Sequence, residues 1–217
     1  MRNLIPYPRR TGKIVGLSLA LSLSVGMFAG STAALAVNPQ DSVRGFYDTL
    51  LTTIKNGPTL GQSGRYARLA PVVDRVFDVP SMTRLAVGPS WATLPAAQQQ
   101  QLTEAFRHYI AATYADRFDN YSGEQLQVTG ERPYNADVIV ETKIVKSDGD
   151  TTTLDYLMRQ NQGSWQISDV FLDGTISQLA IQRSEFHSIL RREGVDGLVM
   201  ALNRKVDLLG KGEAKSS

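Results

Sequence analysis

The chain contains no cysteine, which excludes disulfides, thiolate metal sites and thiol nucleophiles. Histidine is almost as scarce. Neither of the two, His108 and His187, belongs to a His-x-x-x-His or Glu-x-x-His spacing, so no helical face offers two zinc ligands. Both are read as surface histidines without a catalytic role, and no metal is expected. There is no Gly-x-Ser-x-Gly elbow, because Gly61-Gln62-Ser63-Gly64 has the wrong spacing and reads as a loop connector. There is no phosphate-cradling Gly-x-x-x-x-Gly-Lys and no dinucleotide Gly-x-Gly-x-x-Gly. Asp148-Gly149-Asp150 begins like a calcium loop but runs into Thr151, Thr152 and Thr153, so it reads as a hairpin turn. Nothing singles out a carboxylate pair for glycoside chemistry. No catalytic residue and no cofactor are expected, and the chain is read as a binding protein, not an enzyme.

Long apolar runs are absent except at the start. Arg2, Arg9, Arg10 and Lys13 precede an uncharged apolar stretch from Ile14 to Gly30, and Ala34-Leu35-Ala36 closes it with small residues at the right places. This reads as a secretory signal peptide over 1–36, cleaved after Ala36. Arg9-Arg10 invites a twin-arginine reading, but Thr-Gly-Lys follows the pair and no cofactor motif accompanies it, so general secretion is favoured. The protein is therefore expected outside the inner membrane. Charge changes accordingly. The full chain has 23 Lys+Arg and 21 Asp+Glu; four of the basic residues and none of the acidic ones lie in 1–36, leaving 19 against 21. The pI of 8.9 belongs to the precursor, and bulk charge gives no reason to expect nucleic acid or an anionic membrane as partner.

The remaining 37–210 is long enough for one domain with its own core, followed by a polar tail over 211–217. Val43, Phe46, Tyr47, Leu50, Leu51 and Ile54 recur at helical spacing until Asn56-Gly57-Pro58. A Gly/Ser loop through Gly61, Ser63 and Gly64 leads to a kinked or two-piece helix carrying Leu69, Val73 and Phe77 around Pro71. Asp78 is placed to cap a short helix with Pro80 in its first turn and Gly88 past its end. The longest helical pattern runs from Thr93 and Pro95 to about Tyr121. The period then falls to two in four runs around Leu126–Val128, Val138–Ile144, Leu154–Met158 and Trp165–Phe171. Asp148-Gly149-Asp150 and Asn161-Gln162-Gly163 sit at hairpin length, so an antiparallel meander is expected, with one face apolar and one solvated. Helical spacing returns at Ile176, stops at Gly194 and resumes near Asp196. Helices, strands, then helices give the α+β class.

Three stretches carry a resemblance. Leu69-Ala70-Pro71-Val72-Val73-Asp74-Arg75-Val76-Phe77-Asp78 with Met82 and Gly88; Trp91 with Gln98, Phe106 and Tyr114; and Trp165-Gln166-Ile167-Ser168-Asp169-Val170 with Asp173-Gly174, Arg183 and Phe186 occur in the order of the MlaC, or toluene-tolerance auxiliary, family. The chain resembles that family over nearly all of 37–210. The resemblance implies a curved antiparallel sheet of about four strands with helices closing a cone, and a periplasmic lipid carrier. Its implied partners are an inner-membrane ABC transporter complex and an outer-membrane lipoprotein complex. Thr175-Ile176-Ser177-Gln178-Leu179-Ala180-Ile181-Gln182 departs from the usual residues before Arg183 and looks more like the hopanoid-associated HpnM branch, so phospholipid and hopanoid both stand as cargo.

A carrier must hide its cargo's tails, since each buried methylene is worth about 0.8 kcal/mol. The expected lining before the sheet is Val73, Phe77, Met82, Leu85, Phe106, Tyr109 and Ile110. The sheet contributes Val138, Val140, Leu154, Tyr156, Ile167 and Phe171, and the last helices contribute Leu179 and Phe186. Arg84 or Arg183 would meet a head-group phosphate. Two other readings stay open: an enzyme using the same cone-shaped pocket, and an adaptor of an ABC transporter that binds no lipid.

Overall fold

A computed structural model of the protein describes residues 38–211. The expected leader, with its expected cleavage point after Ala36, and residues 212–217 of the expected tail lie outside the described residues. α1 (Pro39–Lys55) begins where the Asp41 amide donates to Asn38 Oδ1 at 2.8 Å and Pro39 occupies the first turn. Its stripe of Val43, Phe46, Tyr47, Leu50 and Ile54 is buried.

α2 (Gly57–Val76) corrects two expectations. The Gly/Ser stretch is helical on both sides of Gly61, and the break falls at Gly61 (φ +59°, ψ −177°), not at Pro71, which lies inside the helix. Glycine takes a positive φ without a Cβ penalty, so the chain bends there. α3 (Val79–Val87) is capped by Asp78, whose Oδ1 accepts from the Ser81 amide at 3.2 Å. A 3-10 turn over Gly88–Thr93, not expected from the sequence, leads to α4 (Ala96–Arg117), which stops short of Tyr121.

Four long strands follow as a meander, β1 (Gln125–Tyr134), β2 (Asp137–Val145), β3 (Thr151–Asn161) and β4 (Ser164–Leu172), and each pairs antiparallel with the next. A fifth, β5 (Ile176–Ser177), pairs with the end of β4 where helix was expected to resume. α5 (Gln178–Lys211) is broken at Gly194 (φ +69°) and extends into the expected tail. The result is one α+β domain with a curved five-stranded antiparallel sheet.

The expected alternation of an apolar and a solvated face breaks in the middle of two strands. Asp155–Met158 and Ile167–Val170 are buried continuously, not alternately. Register explains part of this: Ile139 stands between Arg132 and Leu157 on neighbouring strands, and such cross-strand neighbours shield the side chain between them. A register shift between Leu157 and Met158 breaks the alternation further.

Two contacts fix the ends of the layer that holds the site. Phe77 leaves α2 extended and bridges to Ile167, with the Asp78 amide donating to the Ile167 carbonyl at 2.9 Å. Buried Arg65 donates to the carbonyls of Ala115 (2.7 Å) and Gly57 (3.1 Å) and so ties the start of α2 to the end of α4. A Cβ at Gly57 would clash with the Asp119 carbonyl oxygen, so this close approach requires glycine.

Candidate functional site: a cavity between helix and sheet

α1 lies against the strands, whereas α4 packs on α2, α3 and α5. The difference leaves a gap between α4 and the sheet, a cavity of about 370 Å³, within the range of small-molecule pockets, about 300–1,000 Å³. Its floor is buried and apolar, made by Phe77, Met82, Phe106 and Ile110. Its walls are Tyr109, Thr113, Tyr114 and Phe118 from α4 and the turn after it, Leu126, Ile144, Leu154, Val170 and Leu172 from the sheet, and Leu179 and Gln182 from α5. All the sheet residues near the mouth come from the same end, where β1 begins, β2 ends, β3 begins and β4 ends. There the exposed side chains of Arg117, Asn120 and Lys146, with half-buried Glu124, form the rim.

The expected lining divides cleanly. Phe77, Met82, Phe106, Tyr109, Ile110, Leu154 and Leu179 face the cavity. Val73, Val140, Tyr156, Ile167 and Phe186 are buried in the core and do not. Val138 and Phe171 are half-buried outside it, Phe171 pairing with Asp155 and touching the Tyr134 ring, and Leu85 stands 40 % exposed. Arg84 and Arg183 do not line the cavity: Arg84 is on the exposed side of α3, and Arg183 is beside Gly88 on α5. The cations at the mouth are Arg117 and Lys146. The sequence carried a signal for them. Phe106, Tyr109, Ile110, Thr113 and Arg117 share one helical stripe, which ends in a cation, and Lys146 continues the alternation of Ile144 one step past its strand, as Glu124 does before Leu126.

Beside the cavity the layer is solid. Phe46 meets Phe77, Tyr114 and Tyr156 edge-on, with ring centroids 5.6, 5.1 and 6.2 Å apart. Tyr47 hydrogen-bonds the Thr142 hydroxyl at 2.6 Å, and that hydroxyl in turn donates a hydrogen bond to the Leu154 carbonyl. Burial pushes the Tyr47 phenol up to about 12, and burial raises Tyr114 and Tyr156 as well. Asp155 is raised by burial, although the Thr142 amide donates to it at 3.1 Å.

The charged groups at the cavity are few. Asp169 lines it, but Oδ1 accepts from the amides of Val170 (2.7 Å) and Leu179 (3.0 Å) and Oδ2 from the Ser177 hydroxyl (2.6 Å), so its role is to hold the start of α5. His108 pairs with Glu104 at 3.0 Å on the surface of α4, and His187 Nε2 lies 3.1 Å from the Val87 carbonyl. Among the described residues no three His, Cys, Asp or Glu gather as metal ligands, and no helix is long and apolar enough to cross a membrane. The arrangement suits enclosure of an apolar molecule with a polar end at the rim.

Comparison with known proteins agrees with that geometry. The family model described as MlaC protein matches residues 44–204. The Intermembrane phospholipid transport system binding protein MlaC of Haemophilus influenzae is 23 % identical over 123 residues, 54 % of this chain and 57 % of that protein, so the match spans little more than half of the relative's length. A solved structure of a phospholipid-binding protein from Ralstonia solanacearum, in complex with a phospholipid, superposes with a TM-score of 0.67 at 26 % identity, covering 79 % of this chain and 98 % of that one.

Proposed function

The chain belongs to the MlaC protein family, and from that premise we propose that it is a periplasmic carrier that binds the tails of a phospholipid in the cavity between α4 and the sheet. The observation that carries this reading is the cavity itself: a buried apolar floor, an apolar wall and a charged rim at one end only. Apolar surface withdrawn from water supplies the affinity, at about 25 cal/mol per Å². The rim keeps the head group wet. The solved neighbour that holds a phospholipid supports the same cargo, and a leader removed after Ala36 would deliver the domain to the compartment between two membranes. In this role the protein passes lipid between an outer-membrane lipoprotein complex and an inner-membrane ABC transporter and performs no chemistry on it.

The test is to purify the protein from periplasm without detergent, extract it with solvent and weigh what is released. A glycerophospholipid mass is the expected result. Repeated empty preparations that also refuse lipid from vesicles would overturn the reading, and a polycyclic triterpenoid mass would replace the phospholipid by a hopanoid.

A further inference from the structure

Resting on the reading that the cavity takes a phospholipid, we propose that its mouth selects a zwitterionic head group, with Arg117 and Lys146 holding the phosphate and Glu124 the ammonium nitrogen. The charged side chains that line the cavity are Arg117, Glu124, Lys146 and Asp169, and both oxygens of Asp169 are already engaged by the two amides and one hydroxyl that it accepts. The other three come from three separate elements, the last residue of α4, the residue before β1 and the residue after β2, and converge on one rim.

Each has capacity left. Arg117 and Glu124 take part in no ion pair among the described residues, and one Glu124 oxygen, Oε2, accepts from the Ser122 amide at 2.7 Å. Lys146 meets Asp150 at 3.3 Å with both side chains at least half exposed, a contact worth little in water and easily exchanged. A guanidinium and an ammonium match a phosphodiester, the guanidinium with two parallel hydrogen bonds. The carboxylate between them in sequence has no use for a phosphate, and it repels one. It is matched by a head that carries a cation beyond the phosphate, as phosphoethanolamine and phosphocholine do. A phosphoglycerol head leaves Glu124 without a counter-charge, and discrimination arises from that mismatch as much as from the match.

The experiment incubates the intact secreted protein with vesicles of equal phosphatidylethanolamine and phosphatidylglycerol, sediments the vesicles, and measures both lipids in the protein fraction. The expected ratio is about fivefold in favour of phosphatidylethanolamine, the size of a contribution from one partly exposed ion pair. Glu124→Lys should invert the ratio, and Arg117→Gln with Lys146→Gln should lower the total of both lipids. A bound ratio in the unaltered protein equal to that of the vesicles overturns the head-group proposal and leaves the cavity reading intact; so does an unchanged ratio in Glu124→Lys. Absence of both lipids from the protein overturns the phospholipid reading itself, and this proposal with it.

Discussion

Two helices face the same sheet and meet it in opposite ways. α1 buries Val43, Phe46, Tyr47 and Leu50, with Phe46 and Tyr47 meeting Tyr156 of β3 edge-on and Tyr47 bonded to β2 through Thr142, and it reaches the cavity with Ile54 in its last turn. α4 carries side chains of the same kinds, yet meets other helices with them: Phe106 meets Phe186 of α5 edge-on at 5.2 Å, and Tyr114 meets Phe46 of α1 edge-on at 5.1 Å while stacking on Phe118 at its own C-terminal end at 5.9 Å. The strands opposite α4 offer Leu126, Ile144, Thr152, Leu154 and Leu172, which line the gap without filling it. Apolar composition therefore does not decide between a packed core and a hollow. The distance at which neighbouring helices hold the backbone decides it, because close packing elsewhere resists collapse of a gap that no side chain is long enough to fill.

The largest effect that would break the contrast is in the packed half. Phe46→Ala removes three edge-on aromatic contacts and should cost about 3–5 kcal/mol in urea unfolding; a loss below about 1 kcal/mol would mean that this half is as loosely filled as the cavity. Alkaline unfolding probes the same region. The folded-state value of Tyr47, about 12, is above its ordinary 10, so the unfolded chain loses that proton first, and the stability present below pH 10 falls as pH rises towards 12. The slope is at most about 1.4 kcal/mol per pH unit for each such phenol, and Tyr114 and Tyr156, raised by the same burial, should steepen it. Chemical denaturation at pH 9, 10, 11 and 12 measures this, and a flat profile would refute it.

In the hollow half the reverse is expected. Leu154→Trp puts a larger side chain into the gap and should reduce lipid bound from vesicles about tenfold while changing stability by less than about 1.5 kcal/mol. If stability fell as steeply as for Phe46→Ala, the space would not be available to a guest. The smallest effect sharpens the boundary: Tyr47→Phe keeps the ring and loses the bond to Thr142, costing about 1 kcal/mol, and it should flatten the alkaline profile without affecting lipid loading.

Legibility of the site followed the reach of local periodicity. The stripe of α4 named Phe106, Tyr109 and Ile110, and the alternation of β3 named Leu154, because those side chains face inward wherever the partner layer sits. The same reasoning named Val140 and Tyr156, which face inward too, but towards α1, where the layer is filled. Leu85 falls on the exposed side of α3, since that nine-residue helix buries Met82, Thr83, Ala86 and Val87 instead. Arg84 and Arg183 offer only their charge as a reason to meet a head group, and charge says nothing of which end of a sheet is open.

Residues close together in the chain settle the cap at Asp78, the break at Gly194, the four long strands and their meander order. Where the inward faces touch and where they stand apart, which strand end forms the mouth, and which cations reach it depend on how the layers assemble. Those are matters of the spacing between layers, and that spacing is fixed by contacts such as Arg65 with Ala115 and Phe77 with Ile167, whose partners lie far apart along the chain.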